Sequence, residues 1–382
     1  MNHRPLGNTG MTVSEIGFGG EHLEGKDAQL IDQVINLALD HGINFFDIFM
    51  PEPNVRTHIG NALQGKREKA HIQGHIRAIW KDGQYGRTLD IAECEVAFND
   101  LLTRLHTDYI DVGMIHMVDS DSELEAILNG PISDYARKLK QSGTIRAIGM
   151  SSHNPLVALK AVKTGLIDVL MFSLNPVFDM VDEDKLPWDL VSNFFEGHQV
   201  SEVNPVRSEL YKTCGSMGVA ITVMKSLGAG SLLNEKSSPF GVALTVPQCI
   251  HYALTRPAVA SVMVGMKTIE EVEQAFKYET STDAEKDYSG VLSSQPRFSF
   301  KGHCMYCNHC LPCTAELDIA QINKYLDMAE LDGTVSPTLR EHYASLTYTA
   351  SDCIACGICE ANCPFEVAII DRMQRAVEVF GK

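Results

Sequence analysis

From residue 14 to about residue 277 the chain alternates short β-branched apolar runs with longer amphipathic segments, and this repeat restricts the fold more than any other feature. Such alternation marks strands joined by crossover helices into a parallel sheet. Strands are predicted over 15–18, 44–48, 70–74, 109–115, 147–150, 169–172, 219–223 and 261–264. Helices are predicted over 28–39, 89–105, 132–140, 155–163, 206–216, 247–254 and 269–276, with Pro155 and Pro247 where helices start. Eight βα units in about 270 residues fit a closed (β/α)8 barrel, a TIM barrel, better than an open doubly wound sheet.

The chain has 382 residues, more than one core usually serves. We expect a barrel over 1–280, a polar, weakly periodic linker over 281–300 and a small, mainly α-helical domain over 301–382. The 175–204 segment, with Trp188 and Phe194–Phe195, is too long for an ordinary βα loop and reads as a lid at the barrel mouth or a surface insertion. A formal charge of −17 opposes binding to nucleic acid or an anionic membrane and favours a basic partner surface. Met1 to Gly10 is polar where a secretion signal needs an apolar run, and no apolar stretch approaches the roughly 18 residues of a membrane span. A cytoplasmic protein is expected.

Of eleven cysteines, eight fall in two runs near the C-terminus. Cys304, Cys307, Cys310 and Cys313 are spaced by two residues; Cys353, Cys356, Cys359 and Cys363 end in Cys-Pro. Two-residue spacers curl the backbone so that successive thiolates converge on one cubane, and the fourth cysteine of such a run usually serves the other cluster. This predicts one [4Fe-4S] centre on Cys304, Cys307, Cys310 and Cys363, and a second on Cys353, Cys356, Cys359 and Cys313. Zinc prefers two C-x2-C pairs and suits the runs poorly. Cys94, Cys214 and Cys249 read as buried thiols. Predicted helices over 319–329 and 337–344 resemble the helical ferredoxin module of succinate dehydrogenase-type iron–sulfur subunits.

Four pieces of the barrel, in order, are Asn44-Phe45-Phe46-Asp47, Asp108-Tyr109-Ile110-Asp111 leading to Ile115-His116, Ile145-Arg146-Ala147-Ile148-Gly149-Met150-Ser151-Ser152-His153, and Met224-Lys225-Ser226-Leu227-Gly228-Ala229-Gly230. Together they resemble the aldo-keto reductases over residues 3 to about 278, above all the branch with a C-terminal ferredoxin-like domain. That resemblance implies NADPH-dependent carbonyl reduction by an Asp, Tyr, Lys and His, the tyrosine protonating the carbonyl oxygen. Asp47 matches the aspartate and His116 the histidine. Glu52, followed by Pro53, stands at the tyrosine position, and His75 at the lysine position. Ser151 keeps the serine beside the nicotinamide amide, but Ser152 replaces the asparagine and Met171 the glutamine. Lys225 and Lys267 remain to meet phosphates of NADP(H).

Asp47, Glu52, His75 and His116 are therefore the candidate catalytic residues, with Ser151, Ser152, Lys225 and Lys267 for the cofactor. Glu52 serves as an acid if burial raises its pKa, and His75 or His116 does so near neutral pH. The expected function is an oxidoreductase acting on a small carbonyl or hydroxyl substrate, with electrons passing through the clusters to a redox partner protein, suited to anaerobic metabolism. Two alternatives stay open. Asp47, Glu52, His75 and His116 with Glu21 and His22 form a set that holds a divalent metal for lyase, isomerase or hydrolase chemistry. A barrel without catalysis would relay electrons only. His71, His41, His58 and His106 are expected to be structural.

Overall fold

The computed structural model describes residues 1–180, 203–292, 302–332 and 334–382. Its strands are β1 (His3–Pro5), β2 (Thr12–Ser14), β3 (Ile16–Gly19), β4 (Phe45–Ile48), β5 (His71–Ile76), β6 (Ala78–Lys81), β7 (Gln84–Arg87), β8 (Ile110–Ile115), β9 (Ile145–Ser152), β10 (Val169–Ser173), β11 (Ala220–Met224) and β12 (Val259–Gly265). Strands β3, β4, β5, β8, β9, β10, β11 and β12 close into a barrel in that order. Neighbours are parallel throughout, with Gly19 opposite Asp47, Asp47 opposite Gln73, and Met171 opposite Ser151. Each barrel strand coincides with one of the eight apolar runs. Both faces of these strands are covered, so they read as continuous hydrophobic stretches rather than alternating ones.

Two apolar layers follow from that burial. Outside the barrel, Phe18, Ile48, Ile72, Ile115, Ile148 and Phe172 pack under the helices. Inside it, Phe45, Val112, Met114, Val169, Met171 and Met263 fill the lumen, and Leu6, Met11 and Val13 from the β1–β2 hairpin join them. Every buried side chain of this size contributes about 1.5–3 kcal/mol.

Helices Pro53–Ala62 and Asp121–Leu128 are additional to those expected. The first is hard to recognise because it buries Arg56, which bonds to the Met50 and Ala97 carbonyls, and Gly60, where a Cβ would stand 2.0 Å from the Arg104 carbonyl oxygen. A polar buried face defeats an apolar periodicity test.

Past the barrel, short helices Asp283–Lys286 and Ser289–Leu292 occupy part of the expected linker. Residues 293–300 and most of the 175–204 segment lie outside the described residues. Helices Ile319–Asp332, Pro337–Ala344, Ile358–Asn362 and Ile369–Phe380 make up the C-terminal segment. Its apolar residues Met305, Leu317, Ile322, Phe365 and Met373 form one cluster with Val177, Phe178, Leu232 and Phe240 of the barrel part. That shared core seats the cysteine runs on the barrel. No helix among the described residues is long and apolar enough to cross a membrane.

Candidate active site

A cavity of about 660 Å3 lies between the strand ends of the barrel and the C-terminal segment. Such ends are where barrels of this kind present side chains for chemistry. Asp47 lies near the end of β4, His75 near the end of β5, and His116 follows β8; all three line the cavity and are buried. Nε2 of His75 lies 2.9 Å from Oδ1 of Asp47, and its Nδ1 lies 2.8 Å from Nδ1 of His116. Nε2 of His116 meets the phenol oxygen of Tyr85 at 2.7 Å. Gln73 donates to the same Asp47 oxygen at 2.6 Å and accepts from Thr222 at 3.2 Å. Arg77 donates to the His116 carbonyl at 2.8 Å and so fixes its backbone.

The direction of the bonds along these four side chains follows from the histidine tautomers. Burial first, then the neighbouring His75 and His309, hold the His116 pKa well below its ordinary value. In the tautomer in which Nε2–H of His75 donates to Asp47, its Nδ1 accepts from His116 Nδ1–H. Nε2 of His116 must then accept from Tyr85. Burial pushes the Tyr85 phenol well up, so it stays protonated.

Tyr85 was not among the expected residues. It sits on the β6–β7 hairpin, whose turn residues Asp82 and Gly83 both have positive φ. Asp-Gly between two four-residue runs is a strong hairpin signal. The same hairpin holds the first cysteine run, since Gln84 donates to the Cys313 carbonyl at 3.1 Å and accepts from its N–H at 2.8 Å.

The C-terminal segment supplies another wall through Met305, Tyr306, Asn308 and His309. The His309 ring is near-parallel to those of His116 and Phe49, with centroids 5.6 and 5.7 Å away. His153 meets it edge-on at 5.3 Å.

The remaining expected residues divide. Ser151 lines the cavity and accepts from the Met117 N–H at 2.7 Å. Lys225 and Lys267 line it too, with Lys26 and Lys324. Burial opposes the Lys225 charge, but Glu21, Cys307 and Cys304 outweigh it and raise its pKa. Ser152 instead donates to Asp119 at 3.1 Å. Glu52, expected at the tyrosine position, caps helix Pro53–Ala62 with its carboxylate, accepting from the N–H groups of Asn54 at 3.0 Å and Val55 at 2.6 Å, and it does not line the cavity. Asp47, His75 and His116 bond to one another, and among the described residues they are not placed as a group to hold a divalent metal.

The cysteines gather in two groups. Burial pushes the Cys310 thiol well up, and Cys307, Cys304, Cys363 and Cys359 push it further. Cys313, Cys353, Cys356 and Cys359 line a second, small cavity with Leu317, Ile354, Ile369 and Met373. Among the described residues, no group of three or more His, Cys, Asp or Glu side chains is placed to hold one metal ion. Cys94, Cys214 and Cys249 are buried, with thiols pushed up by burial to about 11, 12 and 12.

Residues 15–245 match the aldo/keto reductase family. YqkF of Bacillus subtilis, an uncharacterized oxidoreductase, is 28% identical over 318 residues, 79% of this chain and 99% of its own. L-galactose dehydrogenase of Arabidopsis thaliana is 30% identical over 287 residues, 71% of this chain and 86% of its own. The aldo-keto reductase AKR11C1 of Bacillus halodurans shares the fold with a TM-score of 0.62 at 21% identity, over 79% of this chain and 99% of that one. With the closed parallel barrel and its polar strand ends, these likenesses make the chain an oxidoreductase that belongs to the aldo/keto reductase family.

Proposed function

We propose that the protein interconverts a carbonyl and an alcohol on a small organic substrate in the barrel cavity, with electrons entering or leaving through two [4Fe-4S] clusters. The observation that carries this reading is the wall formed by Met305, Tyr306, Asn308 and His309, which come from the first cysteine run. Clusters kept for structure alone have no need to abut the reacting groups.

The thiol groups fit such clusters. Cys304, Cys307, Cys310 and Cys363 would hold one, and Cys313, Cys353, Cys356 and Cys359 the other. A cubane binds each thiolate at a different iron, so its ligands do not converge as they do on a single ion. Lys26, Lys225, Lys267 and Lys324, with Ser151, fit the phosphates and amide of NADP(H) in the main cavity. When bound, the clusters supply single-electron transfer and NADP(H) supplies hydride.

The chain's own residues do the rest. Asp47, His75, His116 and Tyr85 form a hydrogen-bonded line that holds a proton beside the cavity. Phe49, Met171, Met224 and Met263 face the cavity and keep water from the reacting carbon. Cys356 is exposed, and beside it Ile354 is 62% exposed, which suits contact with a redox partner protein. The net charge of −17 favours a basic face on that partner.

Anaerobically purified protein tests this reading. It should contain about eight irons and as many acid-labile sulfides per chain, and a dithionite-reduced sample should be reoxidised by added butane-2,3-dione. Absence of iron, or full iron with no reoxidation, would overturn it.

A further inference from the structure

We propose that His153, held by Asp119, exchanges the proton with the substrate oxygen; this role rests on the carbonyl–alcohol reading above. The four-residue line at Asp47 is internally saturated. Both ring nitrogens of His75 and both of His116 are engaged within it, so neither imidazole has a nitrogen left for a ligand. His153 lines the same cavity, its side chain only 6% exposed, and its Nε2 is buried with no hydrogen-bond partner among the described residues. Leaving such an atom unpaired costs about 1–3 kcal/mol, a cost a bound substrate oxygen would remove.

The rest of the ring is fixed. Nδ1 lies 2.9 Å from Oδ2 of Asp119, whose Oδ1 takes the His153 backbone N–H at 2.6 Å and the Ser152 hydroxyl at 3.1 Å. Burial disfavours the Asp119 charge, but His153 and Ser152 outweigh it and hold the carboxyl below its ordinary pKa. A carboxylate on Nδ1 leaves Nε2 as the atom that gains or loses the proton. His309 and Phe365 pack edge-on at 5.3 and 5.4 Å and set the plane of the ring. Asp119 is thus a positioning residue, and Ser152, at the position where the family resemblance expects an amide-holding asparagine, belongs to its support.

The step balances simply. In reduction the carbonyl carbon takes up a hydride, an electron pair with its hydrogen, from a donor of the dihydronicotinamide class. The oxygen takes the proton as the Nε2–H bond of His153 breaks, and solvent reprotonates the ring. Oxidation of the alcohol runs in reverse.

NADPH-dependent reduction of butane-2,3-dione by anaerobic, iron-replete protein provides the test. His153→Ala should lower kcat about 100-fold, leave the Kd for NADPH unchanged, and recover at least about tenfold when imidazole is added. Asp119→Asn should lower kcat with KM unchanged, and Asp119→Glu should restore part of it. If His153→Ala loses iron or fails to fold, His153→Gln, which keeps the bulk without an ionisable nitrogen, decides by the same kcat criterion. Retention of kcat within about threefold, or a loss that imidazole does not relieve, would overturn the role while leaving the carbonyl–alcohol reading standing. A wild-type protein inactive with this pair would overturn the hydride step that His153 serves, whereas failure of butane-2,3-dione to reoxidise the dithionite-reduced protein would overturn the carbonyl–alcohol reading.

Discussion

The Tyr85 phenol oxygen stands 2.7 Å from Nε2 of His116, although one residue comes from a hairpin beyond β5 and the other from the end of β8. That contact ends the line that begins at Asp47. Tyr85→Phe removes the only donor that the neutral His116 Nε2 has in this line, and a buried acceptor left unpaired costs about 1–3 kcal/mol. The variant should melt several degrees lower and turn over about tenfold more slowly, as thermal unfolding and steady-state assay of the anaerobic protein would register. Unchanged values for both would remove Tyr85 from the site.

Glu52 supplies the contrasting case. As a helix cap, its replacement by alanine should cost about 0.5–2 kcal/mol of stability and leave kcat close to wild type. A general acid would show the opposite pattern, with kcat collapsing and the melting temperature unmoved.

Ligand crossing between the cysteine runs can be read from single substitutions. Cys313→Ala should weaken the centre built on Cys353, Cys356 and Cys359, and Cys363→Ala the one built on Cys304, Cys307 and Cys310. Iron analysis with low-temperature EPR of the reduced protein separates the two. Only Cys363→Ala should then alter the signal of the centre beside the cavity; identical spectra from the two variants would contradict the crossing.

Glu24 lines the cavity where the C-terminal segment, through Asp318, meets the barrel. Burial, then Glu52, Asp318 and Glu21, raise its pKa from 4.5 to about 7. Between those values the folded state keeps a proton that the unfolded state has released, so stability falls as pH rises through the window. Glu24→Gln should therefore unfold at a higher temperature than wild type above pH 7, with the difference fading toward pH 5. Parallel melting curves for the two proteins across that range would show that Glu24 titrates normally.

Much of this protein is legible one segment at a time. The eight barrel strands are recognisable because a strand covered on both faces must be apolar along its length, and that requirement is met within four to eight residues. Asp47, His75 and His116 are recognisable through the family resemblance, and each lies near the end of such a strand, where a barrel collects its polar side chains. The grouping of cysteines is visible in their spacing. Even Tyr85 leaves a local trace, the Asp82–Gly83 turn, although nothing local says where the hairpin folds.

Glu52 shows the limit. Its place after β4 suggests a catalytic acid, yet the free N–H groups of the helix that follows take its carboxylate first. His153, Asp119 and His309 lie farther beyond local reading. Residue spacing along the chain determined the barrel, its strand ends and the two sets of thiols. Packing of Met305, Leu317 and Phe365 against Val177, Phe178 and Phe240 decided that the first cysteine run closes the barrel mouth and brings His309 against His116 and His153. The difference is physical: periodicity and capping are settled among neighbours in sequence, whereas facing side chains from distant segments meet only when burial of a shared apolar surface brings them together.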